Sequence, residues 1–297
     1  MSNKLRKMTL EKKHNLTGWA FLAPATFLIA VFSFWPMIKA LVLSFQTGKG
    51  RNIQMAGFTN YIRMFQDDVF IQSIKNTFFY FILQVPIMLV VALVLACILN
   101  KKDLRFKGFF RTMIFVPCTT SLVAYSIIFR SLFANDGLVN YVLVNLGILD
   151  KPYNFLTQPF AAKMVILLGL LWRWTGYNMV FFLSGLQNIE YSVYEAAKID
   201  GASAIQTFFK ITVPLLKPTI LLTAIMSTNG TLQLFDESVN LTDGGPANAS
   251  ISMSHYIYNL CFKYVPNFGY AAAMSFFILL LVAVLAFIQM RVGDKRD

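Results

Sequence analysis

Apolar residues along this chain gather into six long runs, separated by segments rich in charge or in turn-forming residues. The runs cover approximately residues 19–44, 74–99, 109–133, 161–186, 215–235 and 268–290. About 20 residues rising roughly 1.5 Å each cross a hydrocarbon core near 30 Å, so every run is long enough to be a membrane helix. The fifth is the least apolar, because Ser227, Thr228, Asn229, Thr231 and Gln233 interrupt it. The pattern predicts an all-α membrane protein with one membrane domain over residues 19–290, a tail over 1–18 and a short tail over 291–297. The first run follows a basic N-terminus, as a signal peptide would. At about 26 residues and without a small-residue cleavage site, it reads as a retained span.

Composition sharpens this picture. A chain that is 57% hydrophobic, with 29 phenylalanines, carries more apolar surface than a soluble domain of 297 residues can hide. Cys97, Cys118 and Cys261 form no staple framework, and His14 and His255 stand apart, so neither disulfide nor metal chemistry is indicated.

The net charge of +12 gains meaning only from its placement. With both termini cytoplasmic, the inner segments hold sixteen Lys and Arg residues and the outer loops hold five, Lys49, Arg51, Arg63, Lys151 and Lys263. That bias sets the expected orientation. The basic residues spread over every inner loop and form no stripe with interleaved aromatics, which argues against nucleic acid as a partner. In the first outer loop, Phe58, Tyr61, Ile62, Phe65 and Val69 recur at helical spacing and predict an amphipathic helix along the membrane surface.

One inner segment is unusual. Ser192 to Pro218, SVYEAAKIDGASAIQTFFKITVPLLKP, is polar and helix-forming within an otherwise apolar chain. YEAAKIDGA predicts a short helix broken at Gly201, and SAIQTFFKI a second one stopped by Pro214 and Pro218. Two short helices at a fixed angle suit force transmission across a protein interface. Ala196, Ala197 and Ala202 allow close approach, Glu195 and Asp200 suit basic partners, and Phe208 and Phe209 are placed to pack the second helix onto the bundle.

The spacing of Glu195, Ala196, Ala197, Gly201, Ile211 and Pro214 resembles the EAA motif of permease subunits of ATP-binding cassette (ABC) importers. That motif reads EAA, three residues, Gly, nine residues, Ile, any residue, Leu-Pro; Val213 here replaces the Leu. SGLQNIEYSVYEAAKIDGA, LTDGGPANAS and GFTNYIRMFQDDVF are similar to segments of the carbohydrate-uptake branch, the maltose and multiple-sugar permease type. The resemblance implies a six-helix importer permease fold with a cytoplasmic coupling helix over 192–214, in the cell membrane of a prokaryote. It implies that Glu195, Ala196, Ala197, Asp200, Gly201 and Ala202 engage an ATPase. It further implies two ATPase subunits, a second permease of a different, homologous sequence, an external solute-binding protein and a di- or oligosaccharide as cargo. No GxxxxGK[ST] occurs, so ATP and Mg²⁺ belong to the partner ATPases and this chain is expected to bind no cofactor and to be no enzyme itself.

Polar groups inside spans mark a pathway or glue helices together. Asn229, Gln233, Asp236 and Glu237 stand at i, i+4, i+7 and i+8, one face of a continuous helix. Span four carries Trp172, Arg173, Trp174, Tyr177 and Asn178, whose aromatic faces suit sugar rings and whose amide suits hydroxyls. Arg173 needs a partner, because an unpaired charge at mid-span costs roughly 3 kcal/mol. Gly244, Gly245 and Pro246 demand a turn that either docks the binding protein or is purely structural. Arg173 also keeps a glycerol-phosphate-type solute open, beside a polyol. An ion-coupled secondary transporter is the alternative of another class, although acidic groups are scarce in the spans.

Overall fold

A computed structural model describes residues 10–49, 52–101 and 103–293 of the chain. Four of its helices are long and apolar enough to cross a membrane, His14–Ser44, Asp68–Asn100, Pro159–Gln187 and Phe268–Gly293. They correspond to the first, second, fourth and sixth runs. The third and fifth runs are bent pairs, Lys107–Thr119 with Leu122–Leu132 at 99° and Ala204–Leu215 with Lys217–Leu232 at 70°. Six spans therefore stand if each bent pair counts as one, but two of them are not the straight helices that the apolar pattern predicts.

Both bends have local causes. In the third run Pro117 removes a backbone donor, Thr120 and Ser121 take extended conformations, and the Ser121 side chain caps the next helix at Ala124. In the fifth, Pro214 and Pro218 flank Leu216, whose ψ of 0° lies at the edge of the helical region and turns the chain between the two helices. The membrane part of that run is then only Lys217–Leu232, followed by a separate helix, Asp236–Thr242. The continuous face expected from Asn229 to Glu237 does not exist, since the helix closes at Leu232 with Gln233 as its cap.

The first helix begins at Leu10, inside the region expected to be a tail. It passes through a π-helical turn, Ala30–Phe34, and packs mainly by its Trp35–Ser44 end against span six. Gly269 permits that approach, because a Cβ there would overlap the Gln46 carbonyl oxygen. A two-stranded antiparallel hairpin, Gln46–Lys49 with Asn52–Met55, follows. The amphipathic helix expected through Val69 stops early: Thr59–Met64 ends at Phe65, and Asp67 caps a new helix by accepting from the backbone N–H of Val69 and Phe70. Phe58, Ile62 and Phe65 are exposed, whereas Met64 is buried.

The second oxygen of Asp67 accepts from the hydroxyls of Tyr256 and Tyr270, each at 2.7 Å. Burial raises the pKa of this carboxyl, but the hydrogen bonds outweigh it and hold the pKa below the ordinary value. One carboxylate thereby ties the start of span two to the start of span six. Spans two and four pack along each other more extensively than any other pair of elements. Beneath the Ser192–Pro218 loop, Ala92, Ala96, Met179, Phe182 and Leu216 form a core, and a second core around Phe70, Met253, Tyr256 and Tyr270 closes the opposite end. The cysteines are free and half-buried.

Candidate functional sites

The loop between spans four and five folds largely as its sequence predicts, except that the second helix does not stop at Pro214 but passes through it to Leu215. Tyr191–Ile199 is helical, and Gly201 adopts φ +76°, the left-handed conformation that ends a helix without steric penalty. Ala202 N–H donates to Ala197 O at 2.9 Å and Gly201 N–H to Lys198 O at 3.2 Å, a Schellman pair. Ser203 and Gln206 form a reciprocal capping box that starts the second arm, Ala204–Thr207, which continues through a π-helical turn, Phe208–Thr212. Tyr194 Oη lies 3.4 Å from Thr212 Oγ1 and joins the two arms.

Glu195, Ala196, Asp200 and Gly201 are exposed, and Ala202 is half-buried. Ala197 is turned inward and only 6% exposed, so it packs the loop onto the bundle and offers nothing to a partner. Phe208 packs on the core beneath, but Phe209 is 65% exposed and does not. Ile199 and Ile205, 86% and 72% exposed, are bare apolar side chains that the motif reading passes over. Their signal was the presence of Ile in a polar loop.

A second site lies between spans two, four and five. A cavity of about 290 Å³ is lined by Trp174, Tyr177 and Asn178 of span four and by Gln233, Asp236 and Glu237 beyond the end of span five. The lost helical face is thus replaced by a turn that delivers three of its four residues to one place. Asn229 is outside it; its Oδ1 accepts from Gln233 Nε2 and steadies that side chain. Trp172 is also outside, stacked on Tyr125 with ring centroids 6.0 Å apart and planes 14° from parallel.

Arg173 is 7% exposed and has its partners within the protein. Its guanidinium donates to Thr120 O at 2.9 Å and reaches Cys118 O at 3.5 Å. Those carbonyls belong to the break in span three, so the arginine's terminal nitrogens meet backbone acceptors at the bend, while its buried Nε has no hydrogen-bond partner. Gln84 of span two also lines the cavity and accepts from Thr231 Oγ1, and Ser227 Oγ donates to Asn178 Oδ1 at 3.3 Å. Gln84 interrupts an apolar run as Gln233 does, and that was the signal for it.

At the opposite end the Gly244-Gly245-Pro246 turn is anchored within the chain. Gly244 has φ +75° and is buried, and a Cβ there would crowd the His255 ring and Ile251 at 3.2 and 3.3 Å. Ser250 Oγ donates to Gly245 O at 2.6 Å, and Asn76 Nδ2 donates to Asn248 O and Ile251 O at 3.1 and 2.9 Å. The complete burial of His255 pushes its pKa down to about 4, so the ring beneath the turn is neutral at neutral pH. Gly244 is internal, which removes it from any docking face; Gly245 and Pro246 are half-buried.

The family model for the inner membrane component of binding-protein-dependent transport systems matches residues 69–296. The chain is 51% identical to a lactose transport system permease protein of Rhizobium radiobacter, over 98% of both chains. It is 33% identical to a multiple sugar-binding transport system permease protein of Streptococcus mutans, over 97% of this chain and 99% of that one. In three dimensions it superposes on a chain of a bacterial ABC transporter involved in import of the acidic polysaccharide alginate, with TM-score 0.84 and 23% identity over 95% and 96% of the two chains. These matches span both sites and nearly the whole length, and the chain belongs to the family of binding-protein-dependent transport system inner membrane components.

Proposed function

We propose that this permease carries a neutral di- or oligosaccharide through the cavity between spans two, four and five. The observation that carries the reading is the lining: two aromatic faces, Trp174 and Tyr177, beside the amides of Asn178 and Gln233. Flat rings pack on the apolar faces of sugars, and amides both donate to and accept from hydroxyls. The relatives named for lactose and for multiple sugars support the same cargo. Arg173 is committed to backbone carbonyls, so it supplies no anion site for a phosphodiester.

The sixteen-to-five distribution of basic residues supports cytoplasmic termini and a cytoplasmic Ser192–Pro218 loop. In that orientation two separate ATPases grip the loop through Glu195, Asp200 and the exposed Ile199 and Ile205. An external binding protein delivers the sugar at the end that carries the Gly245-Pro246 turn; one of the structural neighbours was solved with a periplasmic protein carrying an alginate pentasaccharide. A second, homologous permease completes the pathway.

Isolation of the complex through a tag on this chain, followed by reconstitution with the binding protein, tests the reading. An ATPase is expected to co-purify, and sugar-loaded binding protein is expected to raise its hydrolysis several-fold and drive uptake. Absence of an ATPase, or hydrolysis indifferent to loaded binding protein, contradicts it.

A further inference from the structure

The cavity is lined by acidic residues, Asp236 and Glu237, and by no basic ones among its described lining residues. Arg173, beside Trp174 in sequence, is turned away toward the Thr120 and Cys118 carbonyls. Glu237 is 4% exposed, and burial pushes the pKa of its carboxyl up. Asp236 is half-buried and remains at the cavity wall. Both carboxylates sit in the first turn of Asp236–Thr242.

Resting on the sugar reading above, the geometry points to a selectivity role: Asp236 excludes anionic sugars from the pathway while accepting hydrogen bonds from neutral hydroxyls. A neutral sugar donates O–H groups to the carboxylate. A sugar carrying its own carboxylate meets a like charge at short range in a partly dry cavity, a repulsion that corresponds to about tenfold or more in affinity. Selection by charge therefore occurs in the permease, in addition to any selection by the binding protein.

The test uses the purified complex without binding protein, trapped with ATP and vanadate. Radiolabelled neutral disaccharides (lactose, maltose, cellobiose) are displaced by their unlabelled forms or by the same disaccharides with one CH₂OH oxidised to a carboxylate. Wild-type complex is expected to prefer the neutral form by about tenfold or more, with the preference shrinking as added salt screens the carboxylate. In Asp236→Asn, which keeps the shape, the preference is expected to fall toward parity and to lose its salt dependence. Equal affinity for both forms in wild type, or an unchanged preference in a folded Asp236→Asn complex, overturns the charge filter alone. Failure of every neutral disaccharide to bind overturns the sugar reading and this inference with it.

Discussion

Glu195→Lys and Gly201→Val are each expected to leave the chain inserted in the membrane while sugar uptake falls by at least about tenfold, the loss typical of an interface hot spot. The two act by different routes. Glu195 is exposed, so the lysine disturbs nothing within the chain and reverses a charge offered to the ATPase. Gly201 has open space around its Cα, so a side chain there meets no neighbour. Its φ of +76° nevertheless excludes a β-branched residue, and the angle between the two arms of the loop must change. Vesicle uptake measured beside immunoblots of membrane fractions checks both. Normal uptake in either variant contradicts a coupling role for the loop.

Gly176→Val is expected to damage the assembly itself. A Cβ at this position would overlap the Ile114 carbonyl oxygen, a backbone atom that no side-chain rotation can move. Spans three and four must separate beside the cavity wall, and such overpacking costs about 1–3 kcal/mol or more. Lower yield of intact complex, a lower melting temperature in detergent and lost transport should appear together. Gly108→Ala serves as control, since nothing lies within 4 Å of a Cβ there. A Gly176→Val complex as stable as wild type contradicts the close approach of the two spans.

Much of this architecture is legible in the amino-acid pattern, for physical reasons that differ by element. Spans two, four and six are long, apolar and free of internal breaks, so length alone identifies them. The Ser192–Pro218 loop is legible because its signals are local: alanines, a glycine at the helix end, then Ser203 with Gln206 three residues on. The bend in span three is only partly local. Pro117 and the Ser121 cap are visible in the sequence, but the break is also held by Arg173, 53 residues away from the Thr120 carbonyl it caps. The apolar run around Pro117 carries no trace of that partner.

The cavity was legible in its residue types and not in its geometry. Gln233 and Asp236 reach it because the helix stops at Leu232, whereas helical periodicity assumes that it continues. Trp172 and Trp174 are indistinguishable in sequence, yet alternate positions on span four send one to Tyr125 and the other to the cavity. Ala197 and Ala196 diverge in the same way: one packs home and its neighbour is exposed.

The central claim is that the exposed face of Tyr191–Ile199 is where a separate ATPase takes hold. A cysteine introduced by Ala196→Cys, in a chain whose three native cysteines are replaced by serine, measures this with a short bifunctional thiol reagent. The account predicts one dominant cross-linked partner, a chain carrying GxxxxGK[ST], with a yield that changes when ATP is added. Labelling of that cysteine by a membrane-impermeant reagent applied from outside intact cells, with no cross-link to an ATPase, would contradict it.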